Sequence, residues 1–508
     1  MTSTNHPRPI TCPPVSTADL AVRIGAAHNG LPTRVTGITN RSAEVLSGDL
    51  FVGVPGARAH GARFAADAVA AGAGAVLTDH DGLARVGEID VPVLVVDDVR
   101  AAIGAAAALI YGDPSRQLRM LGITGTSGKT TTAYMVRAVL NAAGLHSGLI
   151  GTVETLIGEE RLAHTPGASL TTPEAPDLHA LLAVMLERGV THVVMEVSSH
   201  ALQLGRVGGI EFAVAGFANL SQDHLDFHHT MEEYFAAKSL LFDGRARTHV
   251  LNTDDEWVAR LVDRPQPTVT ISPSGAVADW RVVGDIVASV AGSDFVVAGP
   301  QAVSLNLSLS LPGAFNVANA LMALAVCAQV GVDPALAASA LAGLQVPGRM
   351  EKIDAGQGFL ALVDYSHKPA AVQAALSSVR QQAAGRVLLV LGCGGDRDTA
   401  KRPIMGEVGA RGAEVLVVTD DNPRSEDPAT IRAAMLAGAR AVPDAERAEL
   451  LEIGDRAEAI REVVRRARDG DVVLVAGKGH ETGQYVGGVV HPFDDRQALR
   501  AAIERGAL

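Results

Sequence analysis

The stretch Leu118-Arg119-Met120-Leu121-Gly122-Ile123-Thr124-Gly125-Thr126-Ser127-Gly128-Lys129-Thr130-Thr131-Thr132 decides how the rest of the chain is read. A strand-like start runs into a glycine-rich turn and then into a helical pattern. Glycines let backbone N–H groups turn inward around phosphate oxygens, a lysine neutralises β/γ charge, a hydroxyl can ligate Mg²⁺, and the following helix presents its N-terminus. Gly125, Thr126, Ser127, Gly128 and Thr131 supply the cradle, with Lys129 and Thr130 at the lysine and hydroxyl positions. The strict form of this motif has glycine at position 123, where this chain has Ile123. Every mechanical part is kept, so the segment reads as a triphosphate loop. A merely structural glycine-rich turn gives no reason for the lysine and hydroxyls to follow.

Working outward, Val91–Val96, His192–Met195, Arg386–Leu391, Val415–Thr419 and Val472–Ala476 are short valine-rich runs alternating with Ala/Leu-rich helical patterns. That alternation is the βαβ signature of parallel sheets covered on both faces, so the class is α/β. At roughly 150 residues per domain, 508 residues imply about three domains. The boundaries are drawn at 1–112, 113–345 and 346–508, with a β-rich stretch from Thr268 to Leu311. A hydrophobic content of 47% excludes a disordered chain, and a formal charge of −13 argues against sequence-independent binding to nucleic acid or anionic membrane. Three cysteines without CxxC spacing suggest neither a disulfide framework nor a cysteine zinc site. The polar, proline-rich Met1–Pro14 does not read as a secretory signal, and the apolar runs Ala101–Leu109 and Ala314–Val332 read as buried helices rather than membrane spans. A cytoplasmic protein fits best.

Other polar clusters follow apolar strands. Met195-Glu196-Val197-Ser198-Ser199-His200 places Glu196 where a carboxylate opposite a phosphate loop can complete the oxygen shell of Mg²⁺. Asn219–His228 concentrates further polar side chains, His224 among them. Lys238, in an apolar helical stretch, reads by itself as an amphipathic lysine whose charge snorkels to water. In the C-terminal region, Gly392–Asp398, Thr419-Asp420-Asp421-Asn422-Pro423-Arg424 and Gly477-Lys478-Gly479-His480-Glu481 each follow a strand-like run and should converge on one sheet edge. Arginines there can pair a carboxylate bidentately while carboxylates accept from an ammonium, which suits a zwitterion.

Together these motifs resemble the Mur ligases, ATP-dependent amide-forming enzymes of peptidoglycan synthesis, and within them the MurE type that adds the third residue of the stem peptide. The resemblance extends over nearly the whole chain, through Ser169-Leu170-Thr171-Thr172-Pro173, Leu311–Asn319, Pro347-Gly348-Arg349 and Asp364-Tyr365-Ser366-His367. It implies an N-terminal domain holding the UDP precursor, a central ATPase domain with a parallel sheet, and a Rossmann-like C-terminal domain bringing the amino acid. By motif, Ser42 would contact the uridine diphosphate, and Thr171, Thr172, Ser198 and Arg206 the muramyl-dipeptide portion. Some relatives have glutamine two residues before the arginine; here Leu204 stands there, and Gln203 stays unassigned. Asn316, Arg349, Asp364 and His367 would contact ATP. Family members carry an N-carbamylated lysine (N6-carboxylysine) that becomes an anionic Mg²⁺ ligand beside a glutamate and a histidine. The resemblance therefore implies that Lys238 is carbamylated, against its isolated reading, with Thr130, Glu196 and His224 completing the metal set. Ser366 replaces the usual alanine of its motif.

The implied reaction phosphorylates the D-glutamate side-chain carboxylate of UDP-N-acetylmuramoyl-L-alanyl-D-glutamate with ATP, after which an amino group attacks the acyl phosphate. Lys129 and Mg²⁺ would neutralise charge, Lys238 and His224 would serve the same centre, and domain closure would accompany turnover. The form Asp421-Asn422-Pro423-Arg424 looks like that of enzymes adding meso-2,6-diaminopimelate, whose second carboxylate Arg424 can clamp; Arg397, Gly477 and Glu481 would complete the pocket. An acidic chain must place its cations locally, and Lys129, Arg206, Arg349, Arg397 and Arg424 are the expected positions. Cys393, within one of these loops, is expected to be sensitive to modification. The alternatives are the same ligase adding L-lysine, a folyl-polyglutamate-type or different Mur-type ligase, and a non-ligase phosphate-loop NTPase. Phosphate release that depends on the amino acid separates them.

Overall fold

The computed structural model describes residues 7–56, 59–162, 170–289, 292–380 and 383–506; Ser169 lies outside the described residues. It divides into two compact units, one made of 1–270 with 325–332, the other of 271–324 with 333–508.

The first unit holds two α/β sheets. In the N-terminal sheet, Val93–Val96, Ala75–Asp79, Asp49–Val52 and Gly37–Thr39 run parallel in that order, with Ala27–Asn29 antiparallel at one edge. Asp49–Val52 and Val93–Val96 are buried along their whole length, which is why Val93–Val96 reads as a continuous apolar run rather than an alternating one. The second sheet has parallel neighbours in the order Ser147–Ile150, His192–Glu196, Arg119–Thr124, Phe212–Phe217 and Ala246–Asn252, extended by the antiparallel Thr155–Ile157 and Glu160–Arg161. These two layers share a core. Ala175, Ala180 and Ala183 of the helix Ala175–Glu187 pack with Ala102, Ile103 and Ala106 of the helix Val99–Ile110, small side chains that let the helices approach. Arg41 pairs with Asp177 at 2.6 Å, and the ring of His179 bonds the Gly208 carbonyl at 2.9 Å.

In the second unit, Trp280–Ser289, Gly292–Gly299 and Val303–Leu309 form an antiparallel meander, matching the β-rich stretch expected there. A separate sheet orders Leu360–Asp364, Val472–Ala476, Val387–Leu391, Val415–Val418 and Glu449–Glu452 as parallel neighbours, with Glu351–Lys352 antiparallel beside the first. Apolar clusters lie on both faces of this sheet. The apolar run from Ala314 forms the helix Ala314–Ala328, and its asparagines are buried but satisfied: Asn316 donates to the Pro312 carbonyl at 2.8 Å and accepts from Asn319 at 3.1 Å. Among the described residues no helix is long and apolar enough to cross a membrane.

Candidate functional site

The parallel register aligns strand ends and so gathers the first cluster. Glu196 lies opposite Ile123, and Phe217 opposite Thr124, so the residues after all three strands emerge on one sheet edge. Ile123 is fully buried in the strand Arg119–Thr124, which extends one residue past it; the turn therefore starts at Gly125. Gly125 (φ 157°) and Gly128 (φ 84°) take backbone angles that L side chains rarely adopt, and the 14-residue helix Lys129–Ala142 begins directly after them. Asn219 pins the loop, its amide accepting from Ser127 N at 3.0 Å and donating to the Ser127 carbonyl at 3.1 Å. The Lys129 ammonium donates to the carbonyls of Gly125 (2.8 Å) and Thr126 (3.2 Å), at the mouth of the cradle.

Glu196 is the meeting point of two groups that the sequence keeps apart. One carboxylate oxygen accepts from the Thr130 hydroxyl at 3.0 Å and from the Thr152 hydroxyl at 3.0 Å; the other accepts from Thr152 N at 2.9 Å. Thr152 Oγ1 also bonds Thr171 Oγ1 at 3.0 Å. Thr172 Oγ1 donates to the Glu196 carbonyl at 2.8 Å and accepts from Ser198 N at 3.2 Å, while Arg206 donates to the Thr172 carbonyl at 3.4 Å and pairs with Glu174 at 2.8 Å. Thus Thr171, Thr172, Ser198 and Arg206 lie on the same edge as Thr130 and Glu196. Thr152 carries no motif signal of its own and was missed from sequence. Ser42 is half-buried at the start of the short helix Ser42–Glu44, one residue from Arg41.

Lys238 does not snorkel. The helix Met231–Ser239 turns it inward to 1% exposure, where its amine donates to the Gly125 carbonyl at 2.9 Å and sits 4.8 Å from the Tyr234 ring centre. Tyr234, also missed from sequence, is within hydrogen-bonding distance of the Thr126 hydroxyl (3.2 Å), and burial pushes its phenol well up from its ordinary value. His224 stands edge-on to Tyr234 at 6.1 Å and to His200 at 4.8 Å, with its ring nitrogen 3.1 Å from an Asp223 carboxylate oxygen. Among the described residues no three His, Cys, Asp or Glu side chains converge as a metal cage. Mg²⁺ does not require one: it binds through one or two carboxylates and substrate phosphates, and the adjoining Thr130 and Glu196 oxygens fit that chemistry.

The C-terminal sheet collects a second cluster in the same way. Asp364 lies opposite Ala476 and Leu391 opposite Val418, so the three zwitterion loops and the 364–367 turn share one edge. The Asn422 side chain donates to Glu481 at 2.8 Å and accepts from Lys478 at 2.9 Å. Lys478 is fully buried, 3.1 Å from Glu481 and 3.5 Å from Asp421; the sequence reading named its loop but gave it no role. Burial pushes the Glu481 carboxyl up, against the pull of the Lys478 ammonium. Arg424 holds φ 55°, donates its backbone N–H to Tyr485 at 2.8 Å, and gives one guanidinium N–H to the Gly395 carbonyl at 2.7 Å. Only glycine fits at 395, because a Cβ there would lie 1.9 Å from the Pro423 carbonyl oxygen. Arg397 is exposed nearby in sequence, and Gly477 takes φ 118° beside Asp421.

On the same edge, Asp364 accepts from Met350 N and from Ser366 N, each at 2.8 Å, and the Ser366 hydroxyl also donates to it. The Arg349 guanidinium lies 4.4 Å from the Tyr365 ring centre, and Tyr365 in turn contacts the His367 and His480 rings at 4.6 and 4.9 Å. Burial, with Lys368 and Lys401 close by, pushes the His367 imidazole down. Cys393 runs against an expectation: it is buried, and burial pushes its thiol up to about 12, which disfavours the reactive thiolate despite its place in the loop.

A glycine-rich loop at a helix N-terminus, on the carboxyl edge of a parallel sheet, is the geometry of a phosphate-loop nucleotide-binding protein. Family models agree and extend this: residues 34–111 match the Mur ligase family catalytic domain, 123–327 the Mur ligase middle domain, and 348–479 the Mur ligase glutamate ligase domain. The chain belongs to the Mur ligase family. It is 51% identical to a Streptomyces avermitilis protein named UDP-N-acetylmuramoyl-L-alanyl-D-glutamate--2,6-diaminopimelate ligase, covering 99% of each chain. A Corynebacterium glutamicum protein of the same name is 53% identical, covering 89% of each. A solved structure of a protein with that name superposes with a TM-score of 0.67 at 32% identity, covering 94% of this chain and 96% of the other.

Proposed function

We propose that this chain is an ATP-dependent amide ligase that adds meso-2,6-diaminopimelate to UDP-N-acetylmuramoyl-L-alanyl-D-glutamate through an acyl phosphate, in cytoplasmic peptidoglycan synthesis. The 51% identity over 99% of the chain to a relative named for that reaction supports the substrates. The observation that carries the choice of amino acid is Arg424, fixed at φ 55° on the edge that also bears Asn422 and Glu481, where a guanidinium can clamp a second carboxylate that lysine lacks. The N-terminal, central and C-terminal regions, 1–112, 113–345 and 346–508, take the UDP precursor, ATP and the amino acid respectively.

Lys129 and the N-terminus of the helix Lys129–Ala142 hold the transferring phosphates, exchanging the carbonyls of Gly125 and Thr126 for phosphate oxygens. Thr171, Thr172, Ser198 and Arg206 hold the dipeptide portion and Ser42 the uridine diphosphate, while Asn316, Arg349, Asp364 and His367 contact ATP. Thr130, Glu196, His224 and Lys238 are the residues that would hold Mg²⁺, which supplies charge neutralisation at the phosphates. Lys238 serves as a carbamate: the modification removes a cation from the phosphate loop and keeps one N–H able to donate to the Gly125 carbonyl. Arg397, Asp421, Asn422, Pro423, Arg424, Gly477 and Glu481 line the amino-acid pocket.

The test is phosphate release by purified protein with ATP, the UDP-dipeptide and either diaminopimelate or L-lysine. Diaminopimelate-dependent release with formation of the UDP-tripeptide is expected. Equal turnover of the two amino acids refutes the specificity, and hydrolysis with no amide product refutes the ligase.

A further inference from the structure

Lys478 is a fully buried cation for which the reaction above has no use. It follows the strand Val472–Ala476, yet its partners Asp421 and Asn422 follow Val415–Val418, and the strand Val387–Leu391 lies between those two in the sheet. Its ammonium therefore crosses the end of an intervening strand to reach Asn422 Oδ1 (2.9 Å) and Asp421 Oδ1 (3.5 Å), and it also donates to Glu481 Oε2 (3.1 Å) in its own loop. Asn422 Oδ1 accepts from Tyr485 N as well, at 3.1 Å, so its carbonyl oxygen faces two donors and its NH₂ faces Glu481 at 2.8 Å. Behind this group, Arg456 is fully buried, pairs bidentately with Asp495 at 2.7 and 2.8 Å, and donates to the Ala476 carbonyl at 2.9 Å. Five of these six side chains are charged, two cations (Lys478, Arg456) and three carboxylates (Asp421, Glu481, Asp495).

We propose that Lys478 is a positioning residue for the amino acid: it ties the 419–424 loop to the 477–481 loop and fixes Asn422 and Glu481 in the orientation that receives an ammonium group of diaminopimelate. The proposal rests on the reading of this edge as the amino-acid pocket. Without Lys478, the Asn422 carbonyl oxygen loses the shorter of its two donors and keeps the Tyr485 N–H, the bridge between the two loops is weakened, and the Asp421 and Glu481 carboxylates face each other with less compensation. Glu481 is already pushed up by burial, and the charged groups acting on it are Lys478, Asp421 and the more distant Arg456, with Asn422 donating to it. Loss of the ammonium raises it further, so the carboxylate protonates at a higher pH and is lost as an ammonium acceptor.

The experiment is steady-state kinetics of the full chain carrying Lys478→Met, with KM determined separately for diaminopimelate, ATP and the UDP-dipeptide, and the pH profile of kcat/KM for diaminopimelate. The diaminopimelate KM is expected to rise about 10- to 100-fold, the order of a lost charge-assisted hydrogen-bond network, with the other two KM values within about twofold. The acidic limb of the profile is expected to move to higher pH. Lys478→Gln keeps a donor without the charge; it carries the same test if the methionine variant does not fold, with a smaller rise in KM and the same direction of pH shift. An unchanged diaminopimelate KM, an equal rise in all three KM values, or an unmoved acidic limb overturns the proposal. Wild-type protein that shows no diaminopimelate-dependent turnover instead removes the functional reading beneath it.

Discussion

Replacing Arg424 by alanine tests the amino-acid pocket at its most specific point. The backbone holds φ 55° at this position through a hydrogen bond from Arg424 N to Tyr485 and another from Gly487 N to the Arg424 carbonyl. Alanine keeps a Cβ and so pays the same left-handed cost as arginine; the loop conformation is not what the substitution changes. What it removes is the guanidinium, which gives one N–H to the Gly395 carbonyl and, under the proposed function, would offer the rest of its fork to the second carboxylate. A bidentate, charge-assisted pair in a partly buried site is worth about 3 kcal/mol, or about 150-fold in binding at about 1.4 kcal/mol per decade. The assay is amino-acid-dependent phosphate release, with KM measured for diaminopimelate and for ATP. A diaminopimelate KM raised on the order of 100-fold is expected, with the ATP KM changed less than about threefold. Arg424→Lys should recover only part of the loss, because a single ammonium cannot reproduce two parallel N–H donors. A diaminopimelate KM that moves less than about threefold, or an ATP KM that rises in step with it, refutes the assignment of Arg424 to the second carboxylate.

Three further outcomes follow from the geometry. Lys129→Met should lower kcat about 10²- to 10³-fold in the phosphate-release assay while leaving the circular dichroism spectrum unchanged, since the loop that the lysine bonds through the Gly125 and Thr126 carbonyls is also held by Asn219. Lys238 should give a carbamate carbon resonance when the protein is equilibrated with ¹³C-bicarbonate, and Lys238→Arg should abolish both that signal and activity; a fully active protein without the signal refutes carbamylation. The His179 imidazole is pushed down to about 4 by burial, from an ordinary value near 6.5 in the unfolded chain. The folded state then resists a proton that the unfolded state accepts, so stability is complete above about 6.5 and declines as pH falls toward 4; at pH 5 the loss is about 2 kcal/mol. Thermal unfolding at pH 7 and pH 5 should show a smaller acid-induced drop in midpoint for His179→Gln than for wild type, and equal drops refute the assignment.

The strand-then-glycine junctions were legible because a parallel sheet demands them. Once Val387–Leu391, Val415–Val418 and Val472–Ala476 are neighbours running in one direction, the residues following them have nowhere to emerge but one edge. The phosphate loop was legible for a related reason: backbone angles such as φ 84° at Gly128 restrict the residue type, and the chemistry restricts the next two. Thr152 and Lys478 escaped because their roles depend on partners far away in sequence. Thr152 matters through Glu196, and Lys478 through Asp421 and Asn422, and neither pairing leaves a periodicity or a spacing. Lys238 and Cys393 show the complementary error. A lysine near a helix end is ordinarily wet and a cysteine in a site loop ordinarily reactive, so both isolated readings assumed access to solvent.

Burial reverses both readings, and with opposite chemical consequences. Cys393 has no cation strong enough to offset desolvation, so its thiol stays neutral and the residue acts as a small apolar filler in the core of the C-terminal sheet. Lys238 is buried against a loop built to receive phosphates, with its amine on the Gly125 carbonyl that Lys129 also contacts. Two ammonium groups converging on one carbonyl repel each other, and converting one of them to a carbamate turns that repulsion into attraction while adding a hard oxygen ligand beside the phosphates. Under the proposed carbamylation this position calls for lysine rather than glutamate: the long stem reaches the loop from a helix 113 residues further along the chain, and a carbamate would carry the charge to the end of that stem.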